Sequence, residues 1–282
     1  MAQAKKSTQS GLATGADAEL AMGVRRFGRV NWLGLYTLAL REVLRFTTVW
    51  TQTLLAPLIT AGLFLTIFTL AIGPNRGDVM GVPFIHFLAP GILTMTVIQN
   101  AFTNTSSSLL VSKIQGNIVD TLMPPLSPLE LVLGYMAGAL ARGLVVAIAI
   151  WAGMALAVGL GLVHPIYTLI FITLGALMLG GLGVIAGIVS QKFDQMAAIT
   201  NFIITPLAFL SGTFYSVEGL PAWFRGITHF NPVFYLIDGV RYGIIGRSDS
   251  SPVLGLVIVG SVTFAILLAC WVLFRRGTKL KS

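Results

Sequence analysis

Residues 253–274 read VLGLVIVGSVTFAILLACWVLF, 22 consecutive positions without a charged side chain. At a rise of about 1.5 Å per residue such a helix reaches about 33 Å, enough to cross the ~30 Å hydrocarbon core of a bilayer. Working outward from that run, 55% of the 282 residues are hydrophobic, only 10% are charged, and the mean hydropathy is +0.86. A soluble domain carries roughly a quarter charged residues. A water-soluble enzyme or binding module is therefore excluded, and the expected fold is an all-α bundle in a membrane.

Five more segments pass the same test, over residues 49–72, 84–105, 143–163, 166–189 and 196–214, which predicts six transmembrane helices. Gly73-Pro74-Asn75 supplies turn chemistry to end the first. Pro90, Gln99 and Asn100 make the second the most polar, and Pro206 interrupts the fifth. The apolar stretch 129–163 is too long for one perpendicular crossing. With its hydrocarbon part at 143–163, Arg142 falls at the inner edge, where its guanidinium can snorkel outward.

Ahead of the first span, Trp32, Leu33, Tyr36, Leu40, Val43 and Leu44 recur at helical spacing beside Arg41, Glu42 and Arg45. That pattern predicts an amphipathic interfacial helix in the headgroup region, anchored by Trp32 and Tyr36. Residues 1–30 are polar and rich in small side chains, and read as a disordered cytosolic tail without the apolar core of a signal peptide.

The net charge of +8 calls for an explanation. With both termini cytoplasmic, 13 lysines and arginines fall on the inner side and four (Arg76, Arg225, Arg241, Arg247) in outer loops, with Arg142 at the boundary. This is the positive-inside bias of a membrane protein, and it accounts for the high pI without any nucleic acid.

Two connections are not simple turns. The inner link 106–128 carries Leu110, Ile114, Ile118 and Leu122 on one helical stripe and stops at Pro124-Pro125. The outer stretch 216–251 holds Leu220, Trp223, Phe224, Ile227, Phe230, Phe234 and Tyr235, too apolar for a solvated loop. It predicts two short re-entrant helices before the last span, joined at Asn231-Pro232, where proline disfavours helix at the preceding residue.

Catalytic patterns are absent. The sequence has no G-x-S-x-G, no H-E-x-x-H and no phosphate-cradling G-x-x-x-x-G-K-[ST] loop. One cysteine, Cys270, and three scattered histidines (His86, His164, His229) supply no metal site. The predicted spans hold no Asp, Glu or His at mid-depth to couple protons or ions. Gly134-x-x-x-Gly138 and Gly183-x-x-x-Gly187 allow close helix approach, more often within a subunit than between subunits. Gln99, Asn100, Thr103 and Asn104 could line a polar pathway or act as interhelical glue.

The segment Thr205-Pro206-Leu-Ala-Phe-Leu-Ser-Gly212-Thr-Phe214-Tyr215-Ser216, with Leu220-Pro221, Asn231-Pro232-Val-Phe-Tyr235 and Asp238-Gly239-Val-Arg241-Tyr242-Gly243, resembles the C-terminal hallmark of ABC-2-type transporter permeases. Lys113-Ile-Gln115-Gly-Asn117-Ile-Val-Asp120 followed by Pro124-Pro125-Leu-Ser127 resembles that family's first intracellular loop, with Val119 standing where close relatives often carry an acid. The likeness covers about residue 30 to the C-terminus and is nearest to the YadH-like inner-membrane branch.

The resemblance implies one permease domain over residues 31–282, in a bacterial inner membrane. Its implied function is the membrane subunit of an ATP-driven exporter moving a lipid, glycan or hydrophobic small molecule. The alternative is an ATP-independent secondary carrier or channel. ATP and Mg would be bound by a separate ABC ATPase subunit, with no cofactor in this chain, and a second permease copy would complete a homodimer among membrane lipids. Lys113, Ile114, Gln115, Asn117, Ile118 and Asp120 would form the coupling helix, within residues 109–122. Gly212, Pro221, Asn231, Pro232, Asp238 and Arg241 would form the re-entrant exit motif. Gln99, Asn100 and Arg142 would be candidates for pathway or headgroup contact.

Overall fold

The structure, a computed structural model, describes residues 30–277. The tail expected over residues 1–30 lies, apart from Val30, outside the described residues. Asn31 caps α1 (Trp32–Thr48) by accepting the Gly34 N–H at 3.0 Å, and Arg45 sits in the last turn, where it complements the helix dipole. After a break at Val49 a π-helical turn, Thr51–Leu55, runs into α2 (Ala56–Arg76). The expected stop at Gly73-Pro74-Asn75 does not occur: the helix continues to Arg76, and Gly77, at φ 62°, turns the chain. A two-residue antiparallel hairpin, β1 (Asp78–Val79) and β2 (Val82–Pro83), leads into α3 (Phe84–Ile114).

A short helix, α4 (Ile118–Leu122), precedes α5 (Pro128–Val158). Ser127 and Glu130 form a reciprocal capping box at the start of α5, and Gly159 in the left-handed region ends it. Then come α6 (Pro165–Val189), α7 (Phe193–Ile199), a second π-helical turn (Thr200–Ile204) and α8 (Thr205–Phe209). The expected pair of short helices is present as α9 (Ala222–Phe230) and α10 (Pro232–Ile245), before α11 (Pro252–Arg276).

Among the described residues five helical segments are long and apolar enough to cross a membrane: Thr51–Gly73, Phe84–Ile114, Pro128–Val158, Pro165–Val189 and Pro252–Arg276. The sixth expected span is not among them. Residues 193–209 are continuously helical, but the run is short and bends through its π-turn. Pro206 has no N–H to return to the preceding turn, and the Thr205 N–H bonds the Thr200 carbonyl instead.

The bundle is built around α3 and α6. Gly183 lies so close to Thr105 and the Phe102 carbonyl that no Cβ would fit, and a Cβ at Gly187 would stand 2.8 Å from Leu109 Cβ. Across this contact Thr105 Oγ1 donates to the Gly180 carbonyl at 2.7 Å. Gly134 and Gly138 on α5 make room for Leu38 and Glu42 of α1. Both small-residue motifs thus serve packing inside one chain.

Candidate functional site

One end of the bundle carries Arg41, Arg45, Lys113 and Lys192 and is called the basic end. There α1 turns its charged face inward. Glu42 is fully buried and accepts from Ser108 Oγ at 2.7 Å and from Arg41 Nη2 at 3.2 Å, with Arg45 Nη2 3.5 Å away. Arg45 also donates to Asn104 Oδ1 at 2.9 Å and Ser107 Oγ at 3.2 Å. Arg41 Nη1 donates to Thr121 Oγ1 of α4 at 2.8 Å, tying α1 to the loop. The opposite face of α1 exposes Trp32, Leu33, Tyr36, Leu40 and Leu44. An apolar stripe turned away from the protein while a carboxylate is turned into it suits a helix bathed in lipid.

The loop expected to hold a helix over residues 109–122 is divided. α3 ends at Ile114, Gly116 takes φ 76°, and α4 begins at Ile118. Lys113 turns inward, its Nζ donating to the carbonyls of Ile188 and Ser190, both at 2.7 Å, and so capping the end of α6. Ile118 also faces inward, 6% exposed, whereas Ile114, Gln115, Asn117, Val119, Asp120 and Met123 are exposed. The expected stripe of Leu110, Ile114, Ile118 and Leu122 is therefore not one outward face. Leu110 and Ile118 belong to the protein interior, and Val119 and Met123 take the exposed apolar positions.

At the opposite end the hallmark residues converge. Asn231 caps α10 by accepting the Val233 N–H at 3.0 Å and donates to the Leu207 carbonyl at 2.9 Å and Ser211 Oγ at 2.6 Å. Pro232 occupies the first turn of α10, where its missing N–H has no partner to lose. Pro221 immediately precedes α9 and is exposed. Asp238 receives the N–H groups of Asp249 and Ser250 at 2.7 and 2.8 Å. Burial pushes its carboxyl above the ordinary range, against the pull of Arg241 and these donors. Arg241, fully buried, donates to the Gly212 carbonyl at 2.7 Å, stacks 4.1 Å from the Phe87 ring, and lies 3.8 and 3.9 Å from Asp238 and Asp249. Gly212, at φ 71°, turns that carbonyl toward the guanidinium. Asp238 and Arg241, three residues apart on α10, form an ion pair, and Asp249, which lies outside the hallmark segments, completes it.

Arg142 lies inside the bundle. It stands 14 residues from the start of α5, about 21 Å along the helix and close to its midpoint. It is 9% exposed and donates from Nη2 to Asn100 Oδ1, near the midpoint of α3, at 2.9 Å. Helix α3 lies between α5 and a groove. Gln99 and Asn100 line that groove, a cavity of about 250 Å³ against α2. Among the described residues no three His, Cys, Asp or Glu side chains come close enough to share a metal ion.

The architecture defines a polytopic helical membrane protein, with an interior polar network at one end and a buried arginine knot at the other. Residues 34–245, about three quarters of the chain, match the ABC-2 type transporter family. The chain is 35% identical over 253 residues to the inner membrane transport permease YadH of Escherichia coli strain K12, covering 89% of this chain and 98% of that protein. It is 26% identical over 254 residues to Nodulation protein J of Rhizobium leguminosarum bv. viciae, covering 88% and 95%. The chain belongs to the ABC-2 type transporter family.

Proposed function

We propose that this chain is the transmembrane permease subunit of an ATP-driven exporter in a bacterial inner membrane, working with a separate ABC ATPase and a second permease copy. ATP and Mg are bound by the ATPase. Family membership over residues 34–245 carries this reading. The basic end faces the cytoplasm, in keeping with the positive-inside bias. There Ile114, Val119 and Met123 offer an exposed apolar surface for the ATPase, flanked by Gln115, Asn117 and Asp120. Movement imposed on α4 reaches α1 through Arg41 and Thr121, and α1 is locked to α3 through Glu42 and Arg45. Residues 193–209 make the sixth crossing, and α9 and α10 re-enter the outer leaflet. Trp32 and Tyr36 anchor α1 at the inner interface. The groove lined by Gln99 and Asn100 lies on the substrate route.

Co-expression with the cognate P-loop ATPase tests the assignment. Met123→Asp and Val119→Asp place a charge on the docking surface, and each is expected to lose the ATPase on purification at normal permease abundance. Ile118→Asp buries that charge inside the permease and is expected to lower its abundance instead. ATP hydrolysis by the rigorously pure single chain, or normal co-purification of both exposed variants, would defeat the reading.

A further inference from the structure

The groove between α2 and α3 changes character along its length. Gln52 of the π-helical turn before α2, with Gln99 and Asn100 on α3, lies at its end toward the basic side, while Phe64 of α2, Ile92 of α3 and Phe214 line the other end. The two helices run in opposite directions across the membrane, yet on both the polar residues are nearer the basic end. A molecule with a polar head at that end and an apolar tail toward the far side matches the cavity in both halves.

The charge behind the polar half is unbalanced. Arg142 has no carboxylate within 4 Å among the described residues, and its buried Nε has no hydrogen-bond partner. The neighbouring guanidinium, Arg45, has Glu42 beside it. A buried cation without a counter-ion is costly within a membrane, and an anion brought to the site offsets that cost. Asn100 stands between the two, its Oδ1 held by Arg142 and its Nδ2 donating to the Thr96 carbonyl at 3.0 Å. An amide NH₂ carries two protons, so one N–H remains for a ligand in the groove.

Resting on the transport function proposed above, we propose that the cargo is an anionic amphiphile whose head binds Asn100 and Gln99, with Arg142 supplying the positive field behind them. The phosphate or carboxylate head takes the spare Asn100 N–H and the Gln99 amide, and the tail lies along Ile92, Phe64 and Phe214. Arg142 is a positioning residue: it orients the Asn100 amide and sets the sign of charge that the groove accepts.

The test uses the full chain purified in a maltoside detergent, with dodecyl phosphate as probe and inorganic phosphate and dodecylphosphocholine as competitors. Binding of dodecyl phosphate is expected to saturate, with neither competitor displacing it at equal concentration. Arg142→Gln keeps a donor for Asn100 but removes the charge, and is expected to weaken binding roughly tenfold to a hundredfold, the effect of one unit charge at short range in an intermediate dielectric. Arg142→Lys keeps the charge and should retain most of the affinity. Asn100→Asp gives Arg142 an internal counter-ion. It should leave the thermal midpoint unchanged or higher while abolishing binding, so an unstable Arg142→Gln protein does not decide the matter. Replacing Arg275 and Arg276 together by Gln should change nothing.

Wild-type affinity in Arg142→Gln or in Asn100→Asp overturns the assignment. So does equal competition by inorganic phosphate or dodecylphosphocholine, or equal loss in the Arg275/Arg276 variant. None of these measurements involves the ATPase. A chain that binds dodecyl phosphate but pairs with no ATPase loses the exporter function and keeps the groove, and the converse result removes only the cargo class.

Discussion

Leu38, Glu42 and Phe46 fall four residues apart on α1, so one helical stripe holds a carboxylate between two large apolar side chains, and all three are buried. That spacing was visible in the sequence, but Glu42 was grouped with Arg41 and Arg45 as the wet face of an amphipathic helix. Its true partner surface, Gly138 of α5 and Ser108 of α3, is 66 or more residues away and could not be read from local periodicity. Replacing Glu42 by Leu leaves Arg45 without its carboxylate and Ser108 without its acceptor. The expected loss is about 1–3 kcal/mol, seen as a lower thermal midpoint in detergent. Glu42→Gln keeps the Ser108 bond and should lose less. Equal midpoints for wild type and Glu42→Leu would show that α1 is held by its apolar residues alone. Arg142 has a partner that local spacing could not show: Asn100, 42 residues away, accepts from its guanidinium inside the bundle.

Small residues were the most legible feature of the elements. The Gly183-x-x-x-Gly187 spacing predicted a close helix contact, and α6 packs there against α3 at backbone distance. Gly183→Val must displace Thr105 and the Phe102 carbonyl, and backbone cannot move aside as a flexible side chain can. A loss of at least about 1–3 kcal/mol is expected, measured as a fall in thermal midpoint in detergent. Gly260→Val on α11, where a Cβ would meet nothing within 4 Å, is the control and should be near neutral. Equal effects at the two sites would mean that glycine conformational entropy, not packing, sets the cost. The link between α3 and α5 was less legible because periodicity does not report backbone handedness. The stripe from Leu110 to Leu122 is regular, yet Gly116 at φ 76° breaks it and re-aims everything beyond. Proline gave only half of its message: Pro57 and Pro206 each follow a π-helical turn, in which the residue before the proline bonds five positions back, and at Pro206 the helix continues where an interruption was expected.

At the scale of the whole molecule, the open quantity is the parity of the crossings. Among the described residues five helices are long enough to span, and an odd number of crossings would leave Trp32 and Arg276 on opposite sides. The proposed topology has an even number, with the basic residues around α1 and those at the end of α11 on the same side in keeping with the positive-inside rule. Among the described residues, 193–209 are the proposed sixth crossing, and at 17 residues they reach about 25 Å. That is short for a bilayer core but not for a segment continued by the buried stretch Ser211–Thr213 and the Arg241 knot beneath α10. Because Cys270 is the sole cysteine and is buried, single cysteines can be introduced into the native chain with little background. Ser251→Cys, in the exposed loop between α10 and α11, is expected to react with a membrane-impermeant maleimide in intact cells. Gln191→Cys, in the exposed turn between α6 and α7, is expected to react only after the membrane is permeabilised. If both positions label from the same side, residues 193–209 do not cross, and the Arg241 knot must be moved to the cytoplasmic face.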